Sequence, residues 1–120
     1  MAKNLLGQTG ESLVAKSLVE QKFTILATNY RVMFGEIDII AQKDDIIAFV
    51  EVKTRKQQFG AIGDLVNYSK QKKIIKTASH FIALNNFHKK TYRFDVAFVQ
   101  FDQDAPQITY IQHAFSSEAS

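Results

Sequence analysis

The sequence predicts an α/β domain, a mixed central sheet flanked by helices, in the order α-β-β-β-α-β-β. Three observations predict it. Segments 11–22 and 65–84 repeat apolar residues at helical spacing. Between them lie three consecutive β-branched or aromatic segments joined by short turn sequences, which make an antiparallel meander. One of those segments runs from Ile46 to Val50 without a polar residue, the mark of a strand covered on both faces.

Each element has its own signal. In 11–22 (ESLVAKSLVEQK), Leu13, Val14 and Leu18 share a face with Leu6 a turn earlier, and Thr9 or Gly10 is placed to cap the N-terminus. Phe23–Val32 is a strand, Phe34-Gly35 a turn, Glu36–Gln42 an alternating strand and Lys43-Asp44-Asp45 a second turn. Ile46–Arg55 is the strongest strand of the chain. Residues 56–63 (KQQFGAIG) form a glycine-bearing loop, and Asp64 is placed to cap the helix that follows. There Val66, Ile74, Ile75, Ala78, Phe81 and Ile82 form one stripe, with Lys70, Lys72, Lys73 and Lys76 largely off it. Tyr92–Phe101 and Ile108–Phe115 are two further strands. Residues 1–115 are thus read as one domain and 116–120 as a flexible C-terminal tail.

Composition narrows the function classes. A chain of 120 residues with 46% hydrophobic and 22% charged content is globular. Cysteine is absent, which excludes disulfides and thiolate metal sites. No apolar run approaches the roughly 20 residues of a membrane span, and the N-terminus lacks a secretory apolar region, so a cytoplasmic protein without membrane contact is expected. His80, His88 and His113 are too far apart for a compact ligand motif, and neither a P-loop nor a dinucleotide fingerprint is present. The net charge of +3 permits a nucleic-acid partner without demanding one.

The anomaly lies in the second and third strands. By alternation Glu36, Asp38 and Ile40 share one face, and Ile37, Ile39 and Ala41 the other. In the next strand Glu51 and Lys53 share a face with Ile47 and Phe49, so charges emerge from a strand that is otherwise buried. A tight turn at 44–45 sets Asp38 opposite Glu51, and two facing carboxylates repel unless a cation sits between them. A hard cation takes one or two carboxylates plus water and phosphate oxygens, and Lys53 is placed to reach the attacking water or the scissile phosphate. Two readings are open here, a metal-assisted phosphodiester hydrolysis site and a solvated charge cluster.

GEIDII (35–40) followed by FVEVKTR (49–55) resembles the YraN-type uncharacterised bacterial family, placed in the PD-(D/E)xK, restriction-endonuclease-like superfamily. Gly10-Glu11, Asn29-Tyr30-Arg31, Phe59-Gly60 and Arg93-Phe94-Asp95-Val96 extend the resemblance over most of the chain. It implies a restriction-endonuclease-like αβββαβ core. It also implies Asp38 and Glu51 as metal ligands, Lys53 as the lysine that orients or activates water, and Glu11 as the additional acid that completes the site in resolvase-like members. Val52 would lend a backbone carbonyl, and Glu36 would be an outer group or a partner of Arg31. A polar residue on the following helix is expected too, with Lys70, Gln71 and Lys72 all available. The implied cofactor is Mg²⁺ or Mn²⁺.

The function expected from this resemblance is a metal-dependent nuclease-like protein that binds DNA and hydrolyses phosphodiester bonds, with branched DNA suggested by the resolvase-like members. Arg31, Arg55, Lys56, Lys70, Gln71, Lys72, Lys73 and Lys76 are the residues expected to hold the nucleic acid, chiefly by sequence-tolerant phosphate contacts. The same lysines read equally as a solvated helix face. A homodimer would let two sites address two strands. The alternative is a non-catalytic nucleic-acid-binding adaptor with the same fold.

Overall fold

The computed structural model describes residues 5–55, 66–85, 89–101 and 105–117. The elements follow the expected order: α1 (Leu5–Glu20), β1 (Thr24–Val32), β2 (Gly35–Lys43), β3 (Ile46–Arg55), α2 (Tyr68–Asn85), β4 (Thr91–Gln100) and β5 (Gln107–Phe115). The strands form one five-stranded sheet in sequence order. Among the described residues only the β3–β4 pair is parallel, and α2 lies in the connection between those two strands. The sheet is therefore mixed, mostly antiparallel, and compatible with a restriction-endonuclease-like core.

β3 is the central strand, and its burial on both faces follows from its composition. On one side Val14 and Leu18 of α1 pack against Ile39, Ala41, Ala48, Val50, Ala97 and Val99. Three of those sheet residues are alanines, so the helix can approach closely. On the other side Ile74, Ala78 and Phe81 of α2 pack against Ile40, Ile47, Phe49, Phe94 and Val96. The Phe49, Phe94 and Phe115 rings stack in series at 5.5 and 5.1 Å.

Both helices begin elsewhere than their sequence signals suggest. α1 starts at Leu5, so the expected cap at Thr9 or Gly10 lies inside the helix. Packing overrides the helix cost of Gly10, because a Cβ there would collide with Thr54 Cγ2. α2 starts at Tyr68, and its cap is Asn67, whose side-chain oxygen accepts the Lys70 N–H at 2.9 Å. Asp64, expected in that role, and the 56–63 loop with Phe59 lie outside the described residues, as do 118–120 of the expected tail. Ser116 and Ser117 line a cleft with Tyr92, Phe94 and His113.

One buried carboxylate holds the far side of the sheet. Asp95 of β4 is fully buried and accepts from Arg93 Nε at 3.0 Å, from the Tyr110 hydroxyl and from the His113 backbone N–H at 2.9 Å. The β4–β5 register shifts across Asp95, from Phe94↔Phe115 to Val96↔Ile111. His113 adopts φ 55° within the resulting bulge. Burial, and then the Asp95 charge and hydrogen bond, push the Tyr110 hydroxyl well above the ordinary tyrosine value, so it donates as a neutral phenol. Asp95→Ala strands these donors, and urea denaturation is expected to show a loss of about 3 kcal/mol.

Candidate active site

The β2–β3 ladder runs from Lys43↔Ile46 to Ile39↔Val50, the register that the turn at Asp44-Asp45 dictates. One step further the Asp38 and Glu51 carboxyl groups come close enough to interact directly. Regular pairing stops there, and the Asp38 carboxylate takes the place of a backbone acceptor, receiving the Val52 N–H at 2.8 Å. Strict alternation also fails at this point. Ile37 packs in the α2-side cluster together with Ile40, whereas Ile39 and Ala41 join the α1-side cluster. The expectation that Ile37 shares a face with Ile39 is thus corrected by the parting of the strands around Asp38.

Both acids are nearly out of water, Asp38 at 8% exposed and Glu51 at 6%. Burial, followed by the charge of Asp38, pushes the Glu51 carboxyl up to about 7; Lys70 acts in the opposite direction. Lys70 Nζ stands 2.7 Å from Glu51 Oε2. Burial works to lower the Lys70 ammonium, but the Glu51 hydrogen bond and charge outweigh it and the pKa is raised. These groups open into a cavity of about 400 Å³ lined also by Glu36, Ser69 and Lys73.

Of the three polar residues available on α2, Lys70 is the one that pairs with Glu51. Gln71 donates instead to the Val66 carbonyl at 2.8 Å, tying down the approach to the helix, and the Lys72 ammonium lies over the Tyr68 ring. Glu36 lines the cavity and pairs with Arg31 at 3.3 Å, the partnership that the sequence allowed. Lys53 follows Glu51 by two residues on β3, half-buried and opposite Phe98 of β4. Glu11, on α1, lines a different cleft with Gln8, Ser12, Thr28 and Asn29. Among the described residues no three His, Cys, Asp or Glu side chains gather closely enough to hold one metal ion. The acids brought together are therefore Asp38 and Glu51.

The remaining basic residues spread over a wider surface. Arg55 is exposed at the end of β3 and donates to the Thr54 carbonyl, and Lys76 stands over the Phe34 ring at 4.7 Å. Lys56 lies outside the described residues. Tyr30 packs edge-on against Phe81 and its hydroxyl is 3.0 Å from His80 Nδ1. Among the described residues no helix is long and apolar enough to cross a membrane.

A family model described as an uncharacterised protein family, UPF0102, matches residues 10–99, a span that holds Glu11, Asp38, Glu51, Lys53 and Lys70. The chain belongs to UPF0102. It is 44% identical over 116 residues to a UPF0102 protein of Alkaliphilus metalliredigens, covering 96% of this chain and all of the relative. A UPF0102 protein of Caldicellulosiruptor bescii is 44% identical over 114 residues, spanning 92% of this chain and 96% of its own. One of Treponema pallidum is 41% identical over 116 residues, 92% of each chain. The YraN-type resemblance read from GEIDII and FVEVKTR is thereby placed within UPF0102.

The raised Glu51 carboxyl has a consequence for stability. The folded protein binds this proton more tightly than the unfolded chain, so stability falls as the pH rises from about 4.5 to about 7. Glu51→Gln removes that slope. Chemical denaturation at pH 8 is expected to find the variant more stable than wild type by about 2 kcal/mol, with the gap closing toward pH 5.

Proposed function

We propose that this UPF0102 protein is a metal-dependent nuclease-like protein that binds DNA and hydrolyses phosphodiester bonds. The observation that carries the reading is the Asp38–Glu51 pair, two nearly buried carboxyl groups that interact just beyond the last β2–β3 pair. Such a pair is tolerated when one acid keeps its proton or a cation compensates the charge, and Lys70 stands where that positive charge is needed. The element order and the acids on the second and third strands are compatible with a PD-(D/E)xK core.

The donor set suits a hard divalent ion, which takes one or two carboxylates and fills its remaining positions with water and phosphate oxygens. Asp38 and Glu51 would hold Mg²⁺ or Mn²⁺. The ion would supply Lewis-acid polarisation and a more acidic water. The chain's own groups do the rest. The Val52 N–H fixes the Asp38 carboxylate, Lys53 orients or deprotonates the attacking water, and Lys73 meets the phosphate from α2. Glu51 must lose its proton to act as a ligand, so the site favours neutral or higher pH.

The test is incubation of the purified protein with supercoiled, single-stranded and four-way-junction DNA in Mg²⁺ or Mn²⁺. Wild type is expected to cut at least one of these. Asp38→Asn and Glu51→Gln are each expected to cut about a hundredfold more slowly while still binding DNA. Lys73→Ala is expected to weaken DNA binding across sequences and to reduce its salt dependence by about one counter-ion. Binding with no cleavage of any substrate, insensitive to metal and to Asp38→Asn, would identify the chain as a DNA-binding adaptor instead.

A further inference from the structure

The Lys70 side chain and the carboxylates it serves differ in freedom. Glu51 belongs to the central strand, and its side chain is 7% exposed, whereas that of Lys70 is 51% exposed. The Lys70 backbone is fixed by the Asn67 cap, and the neighbouring Gln71 is tied to Val66. Only the flexible end of the lysine is free to leave. Asp38 is anchored to the Val52 N–H by a contact in which Lys70 has no part. The acidic pair therefore keeps its shape when the ammonium withdraws, and the cavity lined by Lys73 and Ser69 gives that ammonium room.

We infer that Lys70 is an exchangeable counter-ion, holding the Asp38–Glu51 pair until a divalent cation takes its place. The inference rests on the metal-site reading given above. An ammonium 2.7 Å from Glu51 Oε2 uses the lone pairs that a cation between Asp38 and Glu51 would need. Two positive charges crowded on one carboxylate oxygen repel, so one must yield. Lys70 then competes with the ion in the resting protein, and the ion must displace it on entry. This sets Lys70 apart from Lys73, which lines the same cavity from the next turn of α2.

The experiment is a Mn²⁺ titration of the full chain without DNA, read by calorimetry or by the paramagnetic resonance of free Mn²⁺. Lys70→Met is expected to bind Mn²⁺ about tenfold more tightly than wild type. Lys70→Arg, which restores a competing cation, is expected to return affinity toward wild type. Lys73→Met is expected to stay within about twofold, separating displacement from a general change in field. Lys70→Gln, followed by thermal melting, guards against a fold lost through the methionine alone. Unchanged or weaker Mn²⁺ binding by folded Lys70→Met and Lys70→Gln, while wild type binds, overturns the exchange and leaves the metal site standing. Wild-type Mn²⁺ binding that survives Asp38→Asn and Glu51→Gln overturns the metal-site reading itself, and the exchange falls with it, as both do if no variant binds Mn²⁺.

Discussion

The protein keeps two carboxylates almost out of water at the point where two strands part, and much of the surrounding architecture serves that arrangement. Burying one ionised acid is costly, and burying two side by side is more so. The cost is met locally. A backbone N–H that the ladder no longer uses goes to Asp38, a lysine from α2 goes to Glu51, and Glu51 holds its proton to near neutrality. The parting of β2 and β3 is what creates the site, because continued pairing past Ile39↔Val50 would spend the Val52 N–H within the ladder.

The two layers of the core divide their work around this point. The α1 side is built from small residues, so the helix lies close over Ala41, Ala48 and Ala97, and Gly10 meets Thr54 with no room for a side chain. The α2 side is built from aromatics, which hold that helix off the sheet and leave the cavity between Lys70, Lys73 and the acids. Gly35 lets the start of β2 slip beneath α2, where a Cβ would collide with Thr77. The central strand, buried on both faces, fixes Glu51 relative to both layers.

Much of this was legible in the sequence, and the parts that were not share a cause. The apolar run from Ile46 to Val50 identified the central strand, and the Lys43-Asp45 turn set the register that brings Asp38 to Glu51. Alternation correctly placed Glu51 on the α2 side, but it misplaced Ile37, because periodicity assumes a regular strand and the irregularity is itself the site. Choosing Lys70 over Gln71 and Lys72 required the rotation of α2, which its amphipathic stripe defines only to within a residue or so. The start of α1 escapes the sequence signals because Thr9 and Gly10 look like punctuation until the Thr54 contact is seen. Asp95 lies in the Arg93-Phe94-Asp95-Val96 segment, yet its partners Tyr110 and His113 come from a bulge that no local pattern announces.

The bulge at His113 also bears on how molecules of this protein meet one another. β5 is an outer strand of the sheet, and an outer strand with open hydrogen-bonding groups invites another chain to extend it. Asp95 reaches across and locks the His113 N–H into the interior, and the distorted backbone there interrupts any continuous row of donors and acceptors. The same carboxylate that stabilises the fold thereby breaks the regularity of its border strand, and an irregular outer strand is a poorer template for another chain.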